Sequence, residues 1–288
     1  MKNSSVFPVL IILSIFFLFP NHSGAIPVNI AIPANGEGMK MLLSWTPLIK
    51  HLEEETNLEI NLIIIRDHKT IKEELERKNY DFALIDPFWL EYWEKTDICL
   101  PFLETVSNKS RDFSSILIVH KDSIFRKLED LENYNLALTV PDDSASGFYI
   151  PLAIIFTKGI NPFLFFKSIV FPETFESILK GVAYGKLDSG FITSNLLYKM
   201  ENRKYRDEIR IIMKSEPLGE PIIVIRNDFN KETMNKIREA LINFSNSVGG
   251  KEVLNKIGLA GFKIPENNTD NTLSRYLHIL ELNNASPE

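Results

Sequence analysis

The chain has 288 residues, 44% of them hydrophobic, and a formal net charge of −6. A mildly acidic chain is a poor partner for nucleic acid or for an anionic membrane surface, because both favour dense Lys and Arg. The single cysteine, Cys99, cannot form an internal disulfide, and one Cys with five His does not support a zinc site, so we predict no cofactor.

The first 25 residues have the pattern of a secretory signal peptide. Lys2 precedes an apolar run, Val6–Phe19, and small residues follow up to Ala25, after which we predict cleavage. The run is shorter than the roughly 20 residues that a membrane-spanning helix needs, although an uncleaved N-terminal anchor remains an alternative. No Cys lies near the cleavage point, which excludes lipid attachment at a mature N-terminal Cys. The sequence therefore predicts an exported, periplasmic protein.

Strands and helices alternate through the first half of the remaining chain. Thr70 and Glu73 have the spacing of a capping box, and Asp86 with Pro87 suits the N-cap and first position of a helix. Apolar runs predict four strands, with helices between them. The predicted strands are Val28–Ile32, Leu58–Arg66, Asp81–Ile85 and Ser114–His120, and the predicted helices are Met39–Thr56, Thr70–Lys78 and Pro87–Glu94.

The second half repeats this arrangement. The segments Lys78–Pro87 and Lys186–Ser194 each run from a helix through a turn with Asp to a short apolar strand and a polar N-cap. Two α/β units of one topology predict two similar lobes with mostly parallel sheets, whose ligands lie at the carboxyl ends of the strands. The predicted strands are Asn135–Val140, Ile169–Phe171 and Ser189–Ile192, and the predicted helices are Phe148–Lys158, Phe175–Tyr184 and one that begins near Asn195.

The remaining elements predict a chain that crosses between the lobes twice. A strand, Pro221–Arg226, and two helices, Lys231–Ser247 and Asn271–Leu282, follow the second unit. We expect lobe one to comprise residues 26–118 and 223–288, and lobe two residues 119–222. The apolar segments Ser115–His120 and Ile222–Arg226 are the expected crossing strands. Two such strands form a hinge, which indicates closure of a cleft on a small ligand.

A serine-rich loop follows the predicted strand Asn135–Val140 and opens a helix. Ser144, Ser146 and the adjacent backbone N–H groups lie where the positive end of the helix dipole is expected, which suits an anion. Gly147 would let the backbone approach a ligand closely, because it has no Cβ. The alternative is that Ser144 or Ser146 only caps the helix. We refer to residues Ser144–Gly147 as the serine loop.

Four segments carry a resemblance to a known family: Arg111–Ser123, Leu128–Leu131, Asp143–Gly147 and Gly181–Gly190. In these segments the chain resembles periplasmic phosphonate-binding proteins, the substrate-binding components of phosphate, phosphite and phosphonate ABC importers. The resemblance covers about residues 28–257 and implies a type II periplasmic-binding-protein fold: two Rossmann-like α/β lobes joined by two hinge strands. It also implies a small oxyanionic solute (phosphonate, phosphate or phosphite) as ligand, a membrane permease as partner, and a monomer.

The resemblance also implies which residues bind the solute. The serine loop would bind the oxyanion from lobe two, because three oxygens can each accept a separate N–H or O–H. The other implied ligand-binding positions flank the same cleft, three in lobe one and two in lobe two. They are Asn35, His68 and Phe88, and Thr193 and Asn195.

Two residues depart from the family pattern. Asp86 stands where members often carry the Gly of a Gly-Pro pair, and Phe175 stands where many carry His. Asp86 either caps its helix or contacts an amino group on an aminophosphonate-like ligand. Phe175 either packs inside its lobe or stacks on an organic ligand. Both are therefore retained as candidate ligand-binding residues.

Other functions compete with solute import. The same cleft could serve a periplasmic sensor that signals to a membrane kinase or cyclase. An enzyme is disfavoured, because the sequence shows no evident nucleophile–base pair or metal cluster. Asp81 and Asp188 could form a carboxylate pair, but both precede strands at tight turns, which favours a structural role.

Overall fold

The computed structural model describes residues 27–33, 38–65, 67–93, 96–108, 113–141, 144–197, 202–266 and 271–287. The predicted signal peptide, Asn35 and Asp143 lie outside these ranges. Across the described residues, no helix combines the length and the apolar character needed to span a bilayer.

The described residues form two β-sheets. The six-stranded sheet consists of β1 (Val28–Pro33), β2 (Ile60–Ile65), β3 (Phe82–Ile85), β4 (Cys99–Ser107), β10 (Ile222–Arg226) and β11 (Leu259–Lys263). The five-stranded sheet consists of β5 (Ser115–His120), β6 (Asn135–Ala137), β7 (Ser168–Val170), β8 (Ser189–Thr193) and β9 (Ile209–Lys214). Their spatial orders are β2-β1-β3-β10-β4-β11 and β7-β6-β8-β5-β9.

Helices connect most of these strands. α2 begins two residues earlier than predicted, because the Asp67 side chain accepts a hydrogen bond of 2.7 Å from the Thr70 N–H and so caps the helix at that point. The helices are α1 (Gly38–Thr56), α2 (His68–Glu76), α3 (Pro87–Trp93), α4 (Tyr149–Phe156), α5 (Pro162–Phe165), α6 (Phe175–Ala183), α7 (Ser194–Leu197), α8 (Arg203–Arg206), α9 (Lys231–Asn246), α10 (Val248–Lys256) and α11 (Thr272–Leu282).

The internal repeat is present in the sheets. β2-β1-β3 and β7-β6-β8 are parallel units with the same order, and an antiparallel strand follows each of them. That strand is β10 in the first sheet and β5 in the second, and each arrives directly from the other lobe. The two-lobed α/β fold is thus confirmed, but the expectation of mostly parallel sheets is wrong, because both sheets are mixed.

The crossings between the lobes differ from the expected ones. β5 pairs with β8 and β9, and β10 pairs with β3 and β4, so each strand lies in a single sheet along its whole length. The chain therefore changes sheets between the end of β4 and the start of β5, and again between the end of β9 and the start of β10; these two connections are called the first and second crossings. The apolar character of β5 and β10 reflects burial inside a sheet rather than a crossing.

Three strands, β4, β9 and β11, and three helices, α5, α8 and α10, were not predicted from the sequence. β4 contains Pro101 and Glu104, which are unfavourable in a strand interior. The register of β10 shifts between Ile223 and Val224, next to the residue that pairs with Pro101, and this irregularity accommodates the proline. β9 and β11 lie at sheet edges, where half-exposed residues weaken the alternation of apolar and polar residues that indicates a strand.

The two turn carboxylates have equivalent structural roles. Asp81 precedes β3 and accepts hydrogen bonds from the Asn29 N–H at 2.9 Å and from Arg226 Nε at 2.8 Å. Asp188 precedes β8 and accepts from the N–H and the side-chain amide of Asn135, at 3.0 and 2.9 Å. Asp81 thus links the start of β3 to the start of β1, and Asp188 links the start of β8 to the start of β6. Both carboxylates lie at the amino ends of these parallel strands, whereas the serine loop follows the carboxyl end of β6.

One apolar core is shared by both lobes. The ring of Phe88, at the start of α3, stacks on Tyr149, at the start of α4, with centroids 5.7 Å apart and planes 12° apart. Trp89 meets the same tyrosine edge-on at 5.6 Å. This cluster also contains Tyr276 and Leu280 from α11, so buried side chains of the two lobes and of the C-terminal helix pack together.

The last helix contacts both lobes. α11 packs against α3 of lobe one and α4 of lobe two. Its first turn is held by Glu216, whose carboxylate accepts a hydrogen bond of 2.7 Å from Thr272 Oγ1 and lies 2.8 Å from Arg275 Nη2. Glu216 belongs to the second crossing segment, so α11 lies beside the hinge region as well as over the junction of the lobes.

Candidate functional site

The serine loop lies beyond the carboxyl end of β6 and forms a 3-10 turn, Ala145–Gly147, before α4 begins. Ser144 and Ser146 are buried, and their Oγ atoms lie 2.8 Å apart in a mutual hydrogen bond. Ser144 occupies the N-cap position, but its side chain makes no capping bond. The N–H groups of Ala145 and Ser146 have no hydrogen-bond partner among the described residues. The loop therefore presents hydroxyls and amides rather than using them to cap a helix.

Gly147 has a different reason for being glycine than the sequence suggested. A Cβ on this residue would lie 2.2 Å from Thr139 Oγ1 and 2.8 Å from the Phe175 ring. The Thr139 N–H also donates to the Gly147 carbonyl at 3.1 Å. The side of Gly147 that lacks a Cβ thus faces the protein interior, and the glycine lets the loop lie close against β6 and α6.

Phe175 supports the serine loop from inside lobe two. It is the first residue of α6, is 9% exposed and packs in a core cluster with Ile178 and Ile192. Thr174 caps the helix by accepting a hydrogen bond of 3.1 Å from the Ser177 N–H. The ring lies under Gly147 rather than in the gap described next.

A narrow gap of about 10 Å³, room for about one water molecule, lies between the lobes beside the serine loop. Lobe one contributes the start of α3, lobe two contributes the serine loop and α4, and the two crossings and α11 complete the wall. The lining residues are Asp86, Pro87, Phe88, Phe113, Ala145, Ser146, Ile150, Leu218 and Leu273. The polar side chains among these are those of Asp86 and Ser146, and no Lys, Arg or His from the described ranges lines the gap.

Asp86 is half-buried and lines this gap. Its side chain makes no hydrogen bond or ion pair with any described residue, so it does not cap α3; the bond at this helix start runs from the Trp89 N–H to the Asp86 backbone carbonyl at 3.0 Å. Loss of hydration on burial raises the pKa of Asp86 to about 6. The capping interpretation of Asp86 is therefore wrong.

Two of the lobe-one residues that were expected to contact a ligand, Phe88 and His68, lie in different places. Phe88 lines the gap, and its ring stacks on Tyr149. His68, in the first turn of α2, is 2% exposed and stacks on Trp89 with centroids 5.1 Å apart. His68 does not line the gap and lies behind the aromatic residues of α3.

The remaining expected positions are not brought to the gap. Thr193 ends β8 opposite Ser115, and Asn195 lies in α7; both are half-buried and neither lines the gap. Sequence reasoning missed four apolar lining residues, because they come from the crossings, α4 and α11. These are Phe113, Ile150, Leu218 and Leu273, and no local motif marks them.

Within the described residues, no group of three or more His, Cys, Asp or Glu side chains is arranged to hold a metal ion. Cys99 in β4 is half-buried, and loss of hydration raises the pKa of its thiol to about 11. The lining residues with polar side chains are Ser146 on one wall and Asp86 on the other, so the hydrogen-bonding side chains at the gap are one hydroxyl and one carboxyl group.

Residues 30–269 match the family model described as "ABC transporter, phosphonate, periplasmic substrate-binding protein". The chain belongs to this family. Among curated relatives of this phosphonate-binding family member, the phosphonates-binding periplasmic protein of Escherichia coli K12 is 26% identical over 244 residues. That alignment covers 82% of this chain and 71% of the relative.

Solved structures support the fold of this phosphonate-binding family member. XAC2383 of Xanthomonas citri, bound to ATP, matches with a TM-score of 0.78 at 14% identity, over 91% of this chain and 100% of the other. PhnD1 of Prochlorococcus marinus, in complex with methylphosphonate, matches with a TM-score of 0.71 at 13% identity, over 90% of this chain and 98% of the other. The two-lobed periplasmic-binding-protein fold is thus shared with both.

Proposed function

We propose that this family member captures a small phosphonate-like oxyanion between its lobes and delivers it to the permease of an ABC importer. The observation that carries this proposal is the serine loop. Ala145 and Ser146, whose amide groups have no described partner, line an interlobe gap, and the buried Ser144 hydroxyl lies 2.8 Å from that of Ser146 without lining the gap itself. Donors to a charged oxygen make hydrogen bonds that are roughly twice as strong as those between neutral groups.

The relatives favour this ligand class over other anions. The curated Escherichia coli relative is named for phosphonates, and the Prochlorococcus structure contains methylphosphonate. Methylphosphonate is small, and its three oxygens can each accept a separate hydrogen bond from the serine loop. Phosphate and phosphite share this geometry and are included in the proposed ligand range.

The proposal extends to the roles of the other residues and to the lobes. Phe88 contacts the organic part of the ligand, and Phe175 and Gly147 hold the serine loop in place. Thr193, Asn195, Asn35 and His68 contribute when the lobes rearrange around a ligand. The lobe boundaries fall in residues 108–114 and 215–221, a shift of a few residues from 118/119 and 222/223. The protein acts as a monomeric binding protein without catalysis, and residues 1–25 direct its export and are removed.

The serine loop can be tested by calorimetry with methylphosphonate. We expect Ser144→Ala with Ser146→Ala to weaken binding by several kcal/mol, because each lost hydrogen bond to a charged group is worth about 1.5–3 kcal/mol. Ser189→Ala is the matched control, since Ser189 is buried in the same lobe and its Oγ donates to the Asn135 carbonyl at 2.9 Å, at the opposite end of the sheet. Equal affinities for the double variant and the control would reject the assignment of the loop.

A further inference from the structure

Asp86 is the charged side chain at the wall of the gap, and the proposed function does not use it. It stands opposite Ala145 and Ser146 of the serine loop, across the junction of the lobes. Other residues at helix starts in this protein use their side chains as caps: Asp67 accepts from Thr70, and Asn230 accepts from the Thr233 N–H at 2.9 Å. Asp86 has no such bond, so its carboxyl oxygens are available to whatever occupies the gap.

None of the described residues neutralises the charge of Asp86. The other lining side chains are apolar apart from Ser146, and no cation of the described residues lines the gap. The neighbouring strand adds a second acid, because Ile222 pairs with Ile85 and Glu220 precedes that pair at the same end of the sheet. Burial raises the pKa of Glu220 above its ordinary value, as it does that of Asp86.

This environment conflicts with a fully ionised dianion at the serine loop. Two desolvated negative charges in one gap repel each other, and the repulsion is screened less than it would be in water. A carboxylate also offers only acceptor oxygens, so it cannot donate to an ionised ligand oxygen. With a pKa of about 6, Asp86 is mostly ionised at neutral pH. It therefore needs a hydrogen-bond donor, and the described protein residues supply none.

We propose that Asp86 is the specificity-determining residue of the gap: it accepts a hydrogen bond from a donor that the oxyanionic ligand itself carries. This inference rests on the proposed function and deepens it. The donor is either the O–H of a singly protonated phosphorus oxyacid or the N–H of an ammonium group beside the oxyanion. Simple sulfonates are fully ionised at neutral pH and carry neither donor. Asp86 thus discriminates against sulfonates of the same shape and size.

Four ligands separate the two donors: methylphosphonate, methanesulfonate, 2-aminoethylphosphonate and 2-aminoethanesulfonate. Their affinities are measured by calorimetry at neutral pH for the wild-type protein, Asp86→Asn and Glu220→Gln. Asn has the shape of Asp and adds an N–H₂ donor, which can serve an ionised oxygen. Glu220→Gln is the matched control, because Glu220 is a half-buried acid at the same sheet end that does not line the gap. Thermal unfolding of each variant confirms that it is folded.

We expect the wild-type protein to prefer methylphosphonate over methanesulfonate by at least about tenfold, since sites built to hydrogen-bond a ligand donor strongly reject analogues that lack it. Asp86→Asn should reduce this preference to less than about threefold, and Glu220→Gln should retain it. If the wild-type protein prefers 2-aminoethanesulfonate over methanesulfonate by a similar factor, and Asp86→Asn loses this preference, the ammonium group is the donor.

Three results overturn the inference. If Asp86→Asn retains the preference of about tenfold for methylphosphonate over methanesulfonate, Asp86 does not select the ligand, although the proposed function stands. The same holds if the wild-type protein binds all four with equal affinity. If the wild-type protein binds none of them, both the inference and the proposed oxyanion function fail.

Discussion

At the scale of single residues, the site depends on a glycine and a carboxyl group that have opposite energetic roles. Gly147 allows the serine loop to lie against Thr139 and Phe175, so its contribution is close packing. The described residues give the Asp86 side chain no partner and burial raises its pKa, so it costs stability in the absence of a ligand. Gly147 thus shapes the site, and Asp86 is the residue that we propose selects among ligands.

Gly147→Ala should destabilise the protein by about 1–3 kcal/mol, because overpacking a well-filled interior forces neighbouring atoms to move. Urea unfolding measures this effect. Combining it with Thr139→Ala should restore part of the loss, since the substitution removes both Thr139 atoms that the added Cβ would meet. Gly249→Ala is the control, because a Cβ there meets nothing within 4 Å. Equal stabilities of Gly147→Ala and Gly249→Ala would contradict the packing argument.

Asp86→Asn should stabilise the ligand-free protein at neutral pH and have little effect near pH 4. The pKa of Asp86 rises from 3.8 to about 6 on folding, so the folded state retains a proton that the unfolded chain releases over this interval. The wild-type protein therefore loses stability relative to the variant as pH rises from about 4 to 6, by up to about 3 kcal/mol. Urea unfolding at a series of pH values checks this, and a gain that does not depend on pH would contradict it.

At the scale of elements, α11 covers the junction of the two lobes. It lies beyond the residues that match the family model, 30–269, yet Leu273 lines the gap and Leu280 is fully buried between the lobes. Its anchor, Glu216, lies in the second crossing. The helix is therefore part of the lobe junction.

Leu280→Ala should lower the free energy of unfolding by about 2–5 kcal/mol, the usual cost of truncating a buried leucine. Leu282→Ala, two residues away in the same helix and 70% exposed, should change it by less than about 0.5 kcal/mol. Chemical denaturation of the two variants provides the comparison. If both behave alike, α11 is not packed between the lobes as described.

At the scale of the whole molecule, the lobes are joined by an aromatic contact as well as by the two crossings. The stack of Phe88 on Tyr149 links the start of α3 to the start of α4. A binding protein whose competent arrangement is only partly populated binds its ligand more weakly by that fraction. Contacts between the lobes thus influence affinity without touching the ligand.

Tyr149→Leu should weaken methylphosphonate binding and increase the radius of gyration of the ligand-free protein, because the ring stack that holds the lobes together is lost. Calorimetry and small-angle X-ray scattering measure the two effects. Tyr184→Leu is the control, since Tyr184 is 61% exposed and lies outside the junction. An unchanged radius with unchanged affinity would show that the stack does not bias the arrangement of the lobes.

The sequence by itself determined the features that depend on local pattern. β1, β6, β8 and α9 were placed within a few residues, and the repeat of α/β units and the serine loop were evident, because apolar periodicity and turn residues act over short stretches of chain. The membership in a phosphonate-binding family was evident for the same reason, since its motifs are contiguous.

Only the tertiary structure decided which residues meet. Several features depend on contacts between segments far apart in the chain. These are the edge strands β9 and β11, the bulged pairing of β10 with β4, the lining of the gap by Phe113, Leu218 and Leu273, and the absence of a capping bond from the Asp86 side chain in the described residues. Local propensity carries no information about such partners, because burial is a property of the assembled lobes. For that reason the serine loop could be predicted from the sequence, and the carboxyl group opposite it could be assigned only from the structure.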